Sequence, residues 1–174
     1  MKTATALGLI FALIAAAGPA RAQVTQTDVL VAGRAIGFVE KFAAGELTIG
    51  IVFASDSAQS TQQANELRAI LGNRFRVGNH VLRASLVRMD ELSEADVDLF
   101  FLTQGVGGAA SRVALVSRER KVPCITFDLA QVRNGACVVG VQSRPRVEVL
   151  VNRKAAAASA TVFSDVFRLM ITEY

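Results

Sequence analysis

The chain has 174 residues, and the 152 that follow its first 22 make an ordinary length for one domain with a sizeable core. Its 19 Lys and Arg against 15 Asp and Glu are scattered, and the one tight basic cluster, Arg118, Arg120 and Lys121, falls at a predicted helix C-terminus, where cations suit the dipole. This excludes a nucleic-acid footprint, and one histidine with two separated cysteines excludes a closed zinc site built from those residues alone.

Lys2, an apolar run from Ala6 to Ala17, Gly18-Pro19 and the triplet Ala20-Arg21-Ala22 read in that order as a cleavable secretory leader, 1–22, cut before Gln23. The run is well short of the roughly 20 residues a spanning helix needs. Loss of Lys2 and Arg21 leaves 17 basic against 15 acidic residues, so the high pI is a poor guide to partners. The sequence predicts an exported, periplasmic domain over 23–174.

Asp28 to Ala43 predicts a first helix with Asp28 as N-cap and Val29, Ala32, Ile36 and Val39 as its apolar stripe, widened by Phe38 and Phe42. Leu47 to Phe53 is a nearly continuous apolar run, the pattern of a strand covered on both faces. A helix from Ser60 to Leu71 follows, with capping-box spacing at Ser60 and Gln63 and a stop at Gly72. Phe75 to Val77 and Val81 to Val87 alternate around Gly78-Asn79 as a hairpin. After an acidic stretch from Asp90 to Asp98, read as an exposed loop or short helix, Val97 to Thr103 gives the second buried strand.

Ala109 to Glu119 predicts a helix and Val122 to Phe127 a third strand, followed by a short turn from Asp128 to Asn134. Ala136 to Gln142 and Arg146 to Asn152 form a second hairpin across Ser143-Arg144-Pro145, and Arg153 to Ile171 a final helix. Strands alternating with helices predict a single-domain α/β sandwich: a mainly parallel central sheet, helices on both faces and hairpins at the edges.

In such sheets ligands settle beyond the C-terminal strand ends. Three ends offer Ser55, Asp56 and Ser57; Thr103, Gln104, Gly105 and Gly107; and Asp128, a set able to hold a small polar or anionic ligand. Capping and turn chemistry uses the same residue types, so both uses stand open. Gly105 to Ala110 also fits G-x-G-x-x-A, with Asp128 after the next strand. Its mid-chain position and the expected export argue against a dinucleotide, and no cofactor is predicted. Without a G-x-S-x-G elbow or any histidine besides His80, no catalytic or metal-binding set is assigned. Cys124 and Cys137, both in apolar strand-like runs, allow either one disulfide or two buried thiols.

Three segments carry a family resemblance. Arg34 to Phe42 is similar to the opening helix of the YfiR-like family of periplasmic regulatory proteins. Pro123 to Asp128, with Gly135 and the strand from Cys137, is similar to its core, and Val149 to Asn152 with Ala156 and Phe163-Ser164 is similar to its closing motif. The chain departs from the family in having no Trp and in carrying Leu150 two residues before Asn152, where an acid is common. The resemblance implies a non-enzymatic regulator that binds and represses a membrane-anchored sensor or diguanylate cyclase. It also implies a possible homodimer, and it favours a Cys124–Cys137 bridge. The same alternation of strands and helices resembles one lobe of an ABC-type periplasmic substrate-binding protein, which implies small-ligand binding instead.

Overall fold

The computed structural model describes residues 23–42 and 44–173; the leader expected at 1–22 lies outside the described residues. Helix α1 spans Gln26–Ile36. Strand β1 (Gly45–Phe53) leads to α2 (Ala58–Leu71), and β2 (Phe75–Val77) and β3 (His80–Arg88) form the predicted hairpin. Strand β4 (Leu99–Leu102), a short 3-10 turn at Gly107–Ala109 and α3 (Ala110–Arg120) come next. They are followed by β5 (Cys124–Thr126), α4 (Leu129–Arg133), and the antiparallel pair β6 (Val139–Gln142) and β7 (Glu148–Val151). The described chain closes with α5 (Arg153–Ala158), α6 (Asp165–Arg168) and β8 (Thr172–Glu173).

The eight strands form one sheet in the order β2-β3-β1-β4-β5-β6-β7-β8. Its interior, β3 to β6, is parallel; β2 pairs antiparallel at one edge, and the β6–β7 hairpin reverses direction at the other. Strand side chains alternate between faces, and the two cores follow that alternation. In β4, Leu99 and Phe101 join α1 and α2 in one core, while Phe100 and Leu102 join α3 and α4 in the other. The α/β class with helices on both faces is therefore the observed fold.

Both ends of α1 differ from the sequence expectation. Thr25, not Asp28, is the N-cap: the Thr25 side chain accepts from the Asp28 N–H and Asp28 answers at the Thr25 N–H, a capping box. The helix stops at Gly37 because Val39 bridges antiparallel to Phe163 and the Glu40 N–H donates to Val162 O. For the same reason the final helix breaks. Ala160 takes a left-handed conformation (φ 51°), and Phe163 turns back to pack on Phe167, which stacks with Phe38 at 4.9 Å. Ser57 rather than Ser60 caps α2, since the Ser60 side chain is buried and bonded elsewhere. Cys124 and Cys137 form a disulfide, with Cα atoms 4.5 Å apart, beside the start of the β5–β6 pairing.

Candidate functional site

Strand β1 lies between β3 and β4, with the chain running outward to one side first and then crossing to the other. The strand order reverses between β1 and β4, and the crest beyond their C-terminal ends is where an open α/β sheet leaves a crevice. The β1 end supplies Ser55 and Asp56, both exposed in a turn, and Ser57, whose Oγ accepts from the Ser60 N–H at the start of α2. The β4 end supplies Thr103, fully buried, whose hydroxyl donates to Val52 O at 2.9 Å.

Gly105 is positive in φ (+75°), and a Cβ there would stand 2.9 Å from Ser57 Oγ, so the two loops close on each other through a glycine. Gly107, also positive in φ, begins the 3-10 turn before α3. Asp128 caps α4 by accepting from the Ala130 N–H at 2.9 Å. Gln131 ties the β4 and β5 ends together: its Nε2 donates to Thr103 O at 3.1 Å and its Oε1 accepts from the Thr126 hydroxyl. Ser57, Thr103, Gly105 and Asp128 thus meet along one crest, where the Ser57 Oγ, the Thr103 hydroxyl and one Asp128 oxygen are engaged with protein partners.

The accessible recess lies beside them. A cleft of about 550 Å³ opens over the β4, β5 and β6 ends, lined by Gln63, Gln104, Phe127, Gln142, Arg144 and Asp28 among others. Of the residues expected from sequence, only Gln104 reaches it; its backbone N–H donates to Gln63 Oε1 at 2.6 Å. Gln142 follows from the same strand-end rule, applied to β6. Gln63 does not, because it belongs to α2 and reaches the crest only through packing.

Asp28 faces Arg144 across the cleft wall, 3.9 Å from carboxylate to guanidinium, and also accepts from the Ser143 hydroxyl. Burial pushes its carboxyl upward, but hydrogen bonds from Ser143 and Thr25, with the charge of Arg144, outweigh burial and hold it below the usual carboxylate value. The cleft therefore offers amide donors and acceptors, one aromatic face and one charge of each sign. Among the described residues, no group of three or more His, Cys, Asp or Glu is gathered as for a metal, and no helix is long and apolar enough to cross a membrane.

No family model and no curated protein matches the chain. Solved structures do. A ligand-free, open substrate-binding protein with adhesive properties from Clostridium difficile is similar over 80% of this chain and 56% of its own, at 14% identity and TM-score 0.55. A conserved domain protein from Vibrio cholerae is similar over 85% and 59%, at 11% identity and TM-score 0.59. An ABC domain in complex with L-Trp from Streptococcus pneumonia is similar over 85% and 59%, at 14% identity and TM-score 0.57. The chain spans between 56% and 59% of the length of these structures, and at this identity the likeness is one of fold.

Proposed function

We propose that this chain is a non-enzymatic binding domain that takes a small polar ligand in the crest cleft, outside the cytoplasm. The observation that carries the reading is the cleft itself. It lies over the strand ends beside the order reversal, walled by the amides of Gln63, Gln104 and Gln142, the Phe127 ring and the Asp28–Arg144 pair. Those groups suit a molecule that carries both signs of charge and an apolar part, as an amino acid does. The fold likeness to a substrate-binding protein and to a domain holding L-Trp supports the same reading. Where two domains clamp a ligand they cover it from both sides, whereas the cleft here has the walls of one.

Calorimetry and thermal shift with a panel of amino acids test it. Saturable binding that Gln104→Ala and Arg144→Ala each weaken is expected. A panel that neither evolves heat nor moves the melting midpoint counts against the ligand. Amino-terminal sequencing of the exported protein, expected to begin at Gln23, tests the address.

A second reading has its own observation. Val162, Val166, Leu169 and Met170, all within the segment that leads into β8, are exposed, and partner docking would cover them. That fits the YfiR-like resemblance and control of a membrane-anchored sensor or diguanylate cyclase. Specific co-purification of such a protein supports it; unchanged cyclic-di-GMP, motility and biofilm on deletion count heavily against it.

A further inference from the structure

A larger cleft, about 900 Å³, lies away from the crest recess, between α3, the turn from α4 into β6, and α5. Along α3, Ala110, Ala114 and Arg118 recur every fourth residue, so one stripe of that helix lines the cleft with small side chains and ends it with a guanidinium. Arg133 at the end of α4 and Lys154 at the start of α5 line the same cleft, and no Asp or Glu does. Among the described residues none of these three cations is in an ion pair, since every salt bridge there uses other basic side chains. Arg118 donates through Nε to Ala114 O at 3.1 Å, which leaves its terminal nitrogens available.

Helix-dipole complementarity accounts for Arg118 and Arg133, each in a last turn. It does not account for Lys154, in a first turn that holds no acid. The cleft is also lined by Gly107 and Gly108, where an added Cβ would meet nothing within 4 Å. An anion seated in this recess would be attracted by all three charges that line it. The volume falls within the roughly 300–1,000 Å³ of small-molecule sites.

We propose that this cleft binds a multiply charged small anion bearing phosphoryl groups, held by Arg118, Arg133 and Lys154. The pair of guanidinium forks favours phosphoryl oxygens, with Lys154 as a point charge. The site is independent of the crest cleft and does not require a ligand there.

The test is calorimetric titration of the purified protein, at low ionic strength, with pyrophosphate and with adenosine 5′-diphosphate, and in parallel with citrate. Saturable binding of a phosphate probe is expected, weakening as salt is raised and falling about tenfold or more in Arg133→Gln/Lys154→Gln. The crest variant Gln104→Ala should leave that affinity unchanged. All three cations are exposed, so the variants should keep the parent melting behaviour, which thermal unfolding checks. Absence of saturable binding by both phosphate probes overturns the proposal, as does binding indifferent to the double variant. Citrate bound as tightly as pyrophosphate overturns the phosphate class.

Discussion

The hydroxyl oxygens of Ser60 and Thr103 lie 2.6 Å apart, both fully buried, where the strand order reverses between β1 and β4. The Thr103 proton goes to Val52 O, so Ser60 donates to Thr103 and in turn accepts from the Ala54 N–H. One relay of three bonds thus fastens the start of α2 to two strand ends. Ser60→Ala strands the Ala54 N–H without a partner, and about 1–3 kcal/mol of stability should be lost. Equilibrium urea unfolding measures it; a loss below about 0.5 kcal/mol, the level of a neutral surface change, would contradict the relay.

Asp28 predicts a pH dependence. Its folded pKa is depressed, so the stability it contributes is complete above the unfolded carboxylate value, about 4, and is lost as pH falls through the lower folded value. Asp28→Asn should therefore be less stable than the parent at pH 7 and pH 5, with the gap closing toward pH 3. Unfolding curves at the three pH values check the sign. Because Asp28 also holds Ser143 and Arg144, the same variant should weaken any ligand of the crest cleft.

The buried strands were legible from residue type alone. Leu47 to Phe53 and, within the run expected from Val97 to Thr103, Leu99 to Leu102 are mostly apolar on both faces because the strands are covered on both faces, whereas Asp98 stays exposed before β4; Gly78-Asn79 marks a turn that needs a positive φ. The limits of α1 and of the last helix were not. Apolar spacing runs on past Ile36 and past Ala158, and only the pairing of Val39 with Phe163, distant in sequence, stops either helix. At the crest, Ser57, Thr103 and Asp128 were identifiable by position but not by use, since a cap and a ligand contact need the same oxygen. Gln63 and Arg144 reach the cleft from elements whose placement is tertiary.

The Cys124–Cys137 bridge closes a loop with a sequence separation of 13, and both residues are buried. A loop of that size restricts the unfolded chain enough to stabilise the fold by roughly 3 kcal/mol. Cys124→Ala/Cys137→Ala should lower stability by about 2–4 kcal/mol. Reductant should lower the unfolding midpoint of the parent and leave that of the double variant where it is. Thiol counting in denaturant should find none before reduction. Equal midpoints in the parent with and without reductant would show that the bridge contributes nothing.

Gly140 faces α4 from the middle of the β6 strand, and a Cβ there would stand 2.6 Å from Val132 Cγ2 and 2.8 Å from Leu129 Cδ2. The Leu129 methyl can swing aside. Val132 cannot, because a β-branched side chain in a helix has essentially one rotamer and this one is fully buried. Gly140→Ala must therefore lift α4 from the sheet, at a cost of about 1–3 kcal/mol. Because α4 carries Gln131, the displacement reaches Thr103 O and the crest. Val132→Ala loses stability on its own but removes the obstructing methyls, so the double variant should be more stable than the two separate losses would allow. Thermal or urea unfolding of the parent, both single variants and the double variant gives the coupling directly. Strictly additive losses would mean that the Gly140–Val132 approach does not set the spacing between helix and sheet.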